Sequence, residues 1–206
     1  MRSPSAADAR KVPRLRSTLG ALALALCLCA PAQGATASAG QRSGRHHACP
    51  HARLRPTRKN LNLIRAATLC LVNRERVIHG ERPLRPNRRL RRAAQAHTAS
   101  MASNDYFAHV GPRGQTLLAR MSSAGYIYSS RVGYEVGENI AWGTLSLATP
   151  RAIVAAWMAS PGHRANILDA RFRDTAIGVS PHLPSLLSRR QAGAIYTQDF
   201  GVIITG

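Results

Sequence analysis

Proline and glycine punctuate residues 60–204 at short intervals, and this spacing limits the chain to brief helices and strands. Each proline fixes φ and removes a backbone donor, so no long helix or central strand can run through one. Residues 61–79 carry Ile64, Ala67, Leu71 and Ile78 on one helical face, and Gly80 fits the stop. Pro83 and Pro86 then break the chain. A second helix is predicted from the cap Asn87 to Ser103, with Leu90, Ala94, His97 and Met101 on its buried face. A loop over 104–114 leads to a third helix near 115–124, ended by Gly125. Thr149-Pro150 supplies a cap and a first-turn proline for a fourth helix, with Ile153, Val154, Trp157 and Met158 inward. Ser160-Pro161 repeats that signal for a short helix reaching Leu168. Residues 175–180 and 193–201 read as strands, and the glycine-rich stretch 133–143 as strand or loop. The mixture predicts an α+β domain in which helices pack on a small antiparallel sheet.

The 206 residues suit one domain and a tail, and a hydrophobic fraction of 45% excludes wholesale disorder. The tail has the layout of an export signal. Arg2, Arg10, Lys11, Arg14 and Arg16 precede an apolar run over 18–30, and small residues follow through Ala39. The run is short for a membrane span. The expected organisation is a secretory signal peptide over 1–34, a basic and partly disordered arm over 35–62, and the folded domain over 63–206. The expected location is secreted, periplasmic or cell-envelope, with no transmembrane segment after signal cleavage. Cys27 and Cys29 would leave with the signal. Cys49 and Cys70 remain as an even pair bound for an oxidising compartment, where a disulfide between them would tie the arm to the first helix.

The formal charge is +20, carried almost wholly by arginine. Residues 35–92 hold 15 basic and two acidic residues, whereas 93–206 hold nine and six. The basicity therefore belongs to the N-terminal part, and the arm could contact anionic surface polymers or lipid headgroups. A nucleic-acid partner would need a reading motif, and none is present. His46, His47 and His51 near Cys49 read as solvated on the arm.

Three segments carry a family resemblance: Asp105-Tyr106-Phe107-Ala108-His109, Gly137-Glu138-Asn139-Ile140-Ala141, and Trp157 to Leu168 containing Ser160-Pro161-Gly162-His163-Arg164-Ala165-Asn166. With Leu71 to Arg76 before them and Tyr196 to Gly201 after, the order resembles the CAP superfamily. This is the SCP-like group of cysteine-rich secretory, antigen 5 and pathogenesis-related proteins, and its bacterial secreted branch matches best. The resemblance implies a three-layer α–β–α sandwich with a cleft lined by histidines and acids. His109 and His163 look like the two cleft histidines, and Glu138 like the first cleft glutamate. Ser160 stands where many eukaryotic members have a second glutamate, which puts any two-carboxylate mechanism in doubt.

Two imidazoles and a carboxylate could ligate a divalent metal, zinc above all, with His109, His163 and Glu138 as ligands. The positive helix start favours neutral, ligating His163. The same residues could act without metal, Glu138 orienting a histidine that serves as base toward water, or could form an inert polar network. Ser160 is a poor nucleophile: the Gly-x-Ser-x-Gly elbow is absent and its hydroxyl is expected to cap the helix. Ser160, Asn139 and Gln198 are counted with His109, Glu138 and His163 among the cleft's ligand-binding residues; Asn139 and Asn166 are also expected to pin the site's loops, with Gln198 as a second-layer partner. Tyr196, Trp142 and Trp157 are expected in the core, and His97 as a satisfied core histidine. His79 and His182 are expected on the surface or in loops. The function expected is an extracellular binding module for a lipid, glycan or protein, with a metal-dependent hydrolase as the alternative.

Overall fold

The computed structural model describes residues 48–205. The export-type segment, the arm up to residue 47 with His46 and His47, and Gly206 lie outside the described residues. The elements run α1 (Leu61–Ile78), β1 (Arg85–Pro86), α2 (Arg88–Ser103), α3 (Leu117–Ser123), β2 (Gly133–Thr144), α4 (Pro150–Ala159), α5 (Pro161–Leu168), β3 (Asp174–Ser180), α6 (Ser185–Ser188) and β4 (Gly193–Ile204). Short 3-10 turns precede α3 and α4.

The sheet order is β1-β3-β4-β2. β4 pairs antiparallel with both neighbours, while the two-residue β1 runs parallel to β3 at the edge. The sheet is thus mixed, not purely antiparallel. Pro86 is tolerated there because an edge strand needs bonds on one side only.

Alternation along the central strands divides the core into two layers. Ile177, Val179, Tyr196 and Phe200 pack with Ile64 and Leu71 of α1, Ile153 and Trp157 of α4, and Ile167 of α5. On the other face, Ala176 packs with Leu90 and Ala93 of α2 and Met121 of α3, and Ile140 and Ile195 pack with Met101. Each of these large apolar side chains contributes roughly 1.5–3 kcal/mol on burial. Gly178 lets α2 lie directly on β3, since a Cβ there would collide with the Ala94 carbonyl. That close approach brings the buried face of α2 down onto the sheet.

The sequence periodicity misassigns two side chains. Ile78 is exposed, and Arg76 takes the buried place on α1. Arg76 donates to the carbonyls of Arg82, Ile167 and Asp169, closing the end of α5. Trp142 is 41% exposed because β2 is the outer strand.

Cys49 and Cys70 form a disulfide that anchors the segment before α1. Among the described residues no helix is long and apolar enough to cross a membrane.

Asn87 caps α2, its side-chain oxygen accepting from the Arg89 and Leu90 amides at 2.9 and 3.2 Å. Asn87→Ala is expected to cost about 1 kcal/mol in urea denaturation. A loss below a few tenths would mean that water replaces the cap.

Candidate functional site

The α2 face of β2 and β4 buries two opposed carboxyl groups. Glu138 and Asp199 are direct cross-strand partners, so both side chains point toward α2. Glu138 has two helix-borne neighbours. Arg120 of α3 donates to Glu138 Oε2 at 2.6 Å, and both side chains are almost wholly buried. His97 of α2 lies with Nε2 3.8 Å from the same oxygen.

The remaining Glu138 oxygen reaches outward. Oε1 lies 2.8 Å from His109 Nδ1, and the His109 side chain is 56% exposed. An ionised carboxylate only accepts, so Nδ1 carries the proton and Nε2 of neutral His109 presents a lone pair to solvent. The loop bearing His109 is tied at several points. Asp105, in the left-handed region at φ 55°, turns the chain out of α2, and its carboxylate accepts from the Ser185 amide and hydroxyl. His97 Nε2 is 3.0 Å from the Ala108 carbonyl. Arg120 donates to the carbonyls of His109 and Gln115, each at 3.0 Å.

His163 comes from the other layer. It lies in the first turn of α5, half-buried, with its backbone carbonyl accepting from Asn139. Asn166 donates to Asn139 Oδ1 and to the Glu138 carbonyl, lacing α5 to β2. His163 Nδ1 is buried without a partner. The site therefore straddles the outer strand, with His109 and Glu138 on the α2 side and His163 on the α5 side.

Burial, and then the nearby His109, hold the His163 imidazole below its ordinary pKa. Burial does the same to His97, with Glu138 opposing it. For Glu138 burial alone would raise the pKa, but the His109 hydrogen bond and the Arg120 charge outweigh it and the net direction is downward. Asp199 goes the other way. Complete burial and the negative charge of Glu138 push it well above the usual carboxylate range, and neither of its oxygens has a hydrogen-bond partner. The two facing carboxyls are thus driven in opposite directions, Glu138 toward the charged form and Asp199 toward the neutral one.

Several expectations change. Among the described residues no three His, Cys, Asp or Glu side chains are grouped to hold a metal ion. Both Glu138 oxygens are engaged, one by a guanidinium that would oppose a second cation. The expected zinc set of His109, His163 and Glu138 does not fit this arrangement. Asn139 is wholly buried on the α5 side and binds loops, not an external ligand. Gln198 is its cross-strand partner, also wholly buried, and donates to Thr175. Neither reaches the surface at His109. Ser160 is half-buried at the junction of α4 and α5 and makes no side-chain cap bond. His97 is a core histidine, as its helix face implied, yet it also forms part of the wall beside Glu138.

Arg120 and Asp199 escaped the sequence reading. Arg120 shares a helical face with Leu117, Met121 and Ala124, so an arginine on an apolar stripe was the available signal. Asp199 sits in a strand buried on both faces, which marks a buried acid only once the strand is known to be central.

Known proteins share this architecture. The Bacillus subtilis (strain 168) protein YkwD is 35% identical over 130 residues, 63% of this chain and 44% of that protein. The chain thus spans less than half of that relative. The structure of an extracellular protein containing an SCP domain from Bacillus anthracis str. Ames superposes with a TM-score of 0.54 and 27% identity, covering 70% of this chain and 43% of the other. An outer surface protein from Borrelia burgdorferi shares the fold, with a TM-score of 0.51 and 17% identity over 71% of this chain and 94% of its own. The model of the cysteine-rich secretory protein family, CAP, matches residues 69–185, more than half of the sequence, and the chain belongs to that family.

Proposed function

We propose that this chain is an exported binding module of the cell envelope or medium, recognising a lipid, glycan or protein through the surface where His109 stands beside His163. The observation that carries this reading is the support given to one exposed imidazole. A buried Arg–Glu pair seldom stabilises a fold more than apolar packing would. Here the Arg120–Glu138 pair fixes the tautomer and direction of His109, whose other nitrogen faces outward. A preset acceptor of that kind suits a ligand hydroxyl or amide donor. The export layout of residues 1–34 and the extracellular and outer-surface neighbours support the location.

A hydrolytic reading is favoured by the same Glu138–His109 dyad, since a carboxylate that orients a histidine is the arrangement of a general base. The two separate experimentally. Muropeptides and phosphatidylglycerol vesicles are titrated into the full chain and into His109→Gln. The binding module predicts that one probe binds unchanged in composition, with affinity about tenfold lower in the variant, as expected for one lost polar contact of about 1.4 kcal/mol. Turnover of a probe would favour the hydrolase. Equal binding by both proteins would move recognition to another surface. Zinc titration of His109→Ala/His163→Ala beside the wild type is expected to show no difference, and one-site binding lost in the variant would restore the metal site.

A further inference from the structure

The first turns of α2 are built against their own electrostatics. Arg88, Arg89, Arg91 and Arg92 are all exposed at the positive end of the helix, and its first turn contains no acid. They also stand three and four residues apart, where like charges repel. Among the described residues none of the four is in an ion pair. Residues 1–47 contribute only one acid, Asp8.

A second observation comes from the neighbouring helix. Arg65 of α1 faces Arg91 across a groove of about 440 Å³ whose floor includes Leu69, Ala176 and Ile177. Burial and the charge of Arg91 both disfavour the Arg65 cation. Arg65 donates to Asn62 and Gln95, but its Nε–H is buried with no partner. The groove continues past Arg88 into a hollow of about 280 Å³, where Arg88 and Arg89 meet Tyr126 and Tyr128. Asp174, the acid in that hollow, is occupied by the Tyr126 hydroxyl and the Asn87 amide. Guanidinium groups from two helices thus converge on one track, and among the described residues none of them is paired with an acid.

We propose that this track is a docking surface for a linear glycan bearing sulfate groups. The planar fork of arginine matches tetrahedral oxyanions. Four guanidinium groups, of Arg65, Arg88, Arg89 and Arg91, along two adjoining hollows exceed what one small anion would neutralise. The apolar floor suits the carbon skeleton between charged groups. A bilayer is the poorer match, because α2 presents no large exposed apolar side chain for insertion and Tyr128 stands alone beside it. The surface lies within the folded domain and shares no residue with the His109 site.

The test is binding of heparin and inorganic polyphosphate to the full chain at several salt concentrations, with phosphatidylglycerol vesicles in parallel. One variant is Arg88→Gln/Arg89→Gln/Arg91→Gln. The other removes equal charge before α1, as Arg53→Gln/Arg55→Gln/Arg58→Gln. The α2 variant is expected to bind heparin at least about 30-fold more weakly and to lose roughly two from the log–log salt slope, against less than about threefold weakening in the other. Its Tm should hold or rise, because repulsion and the dipole conflict are relieved, so weaker binding would not reflect unfolding. Equal weakening in both variants, no binding of heparin by the wild type, or tighter binding of polyphosphate or vesicles than of heparin would each overturn the proposal.

Discussion

Glu138→Ala is expected to cost about 3–5 kcal/mol, the usual result of leaving one member of a buried ion pair without the other. Arg120 would stay in place with a side chain 2% exposed, its charge uncompensated. Its Nη1 would keep the carbonyls of His109 and Gln115, but its Nε already lacks a partner. Glu138→Gln should cost less, since the amide oxygen can still accept from Arg120. The amide nitrogen would then donate to His109 Nδ1 and reverse the tautomer, turning the exposed Nε2 from acceptor to donor. Urea denaturation reads the first effect, and nitrogen chemical shifts of the His109 ring read the second. A loss under 1 kcal/mol for the alanine variant would mean that water reaches Arg120 and that the pair does not hold the loop. Arg120→Met/Glu138→Leu provides the contrast. It should recover most of the stability, as apolar replacements of buried pairs often do, while leaving His109 free to rotate.

The two facing carboxyls give opposite pH dependences. The folded-state pKa of Glu138 is depressed, so its stabilisation is present above the unfolded carboxylate range and fades as pH falls through the folded value. The folded-state pKa of Asp199 is raised, so the native state keeps a proton that the unfolded chain releases. Its contribution is full below the unfolded value and declines as pH rises toward the folded one. Asp199→Asn removes the second dependence alone. Stability of that variant should fall less than that of the wild type between about pH 4 and pH 7.

The helices and strands are legible in the sequence because their signals are local. Asn87, Thr149-Pro150 and Gly80 mark ends within a few residues of where they fall, and Trp157 and Ile153 face inward as their spacing requires. His109 and Glu138 stand out through their motifs, and their 2.8 Å contact joins residues 29 apart in sequence. What escapes depends on which strand is outer and which layer each element joins. Alternation puts Tyr196 and Gln198 on one face of β4, but nothing local says that Glu138 faces the other. Sequence reasoning therefore assigns Gln198 and Asn139 to a cleft they do not reach. It puts Trp142 in the core because an edge strand reads like any other when only its apolar residues are visible. Arg76 and Arg120 show the same limit, since a buried arginine is justified by carbonyls and carboxylates that only the tertiary fold assembles.

Breaking the Cys49–Cys70 bond is expected to cost about 3 kcal/mol, the chain-entropy value for closing a loop of roughly 20 residues. The separation is 21 residues. Little else attaches the intervening segment. Residues 53–55 and 57–59 are exposed, and the Arg151 amide donates to the Ala52 carbonyl at 2.9 Å. Leu61 and Ala52 are only partly buried against the core. Reduction should therefore release the segment before it unfolds the sandwich, because α1 keeps Ile64, Leu71 and Val72 buried with or without the bond. Trypsin reads this directly. Arg53, Arg58 and Lys59 should be cut many times faster in the reduced protein, while Arg76 and Arg120 stay protected. Cys49→Ala/Cys70→Ala should give the same cleavage pattern without reductant. Equal protection of Arg53 and Arg58 in both forms, with a stability loss below 1 kcal/mol, would show that non-covalent contacts hold the segment and that the bond follows the docking instead of enforcing it.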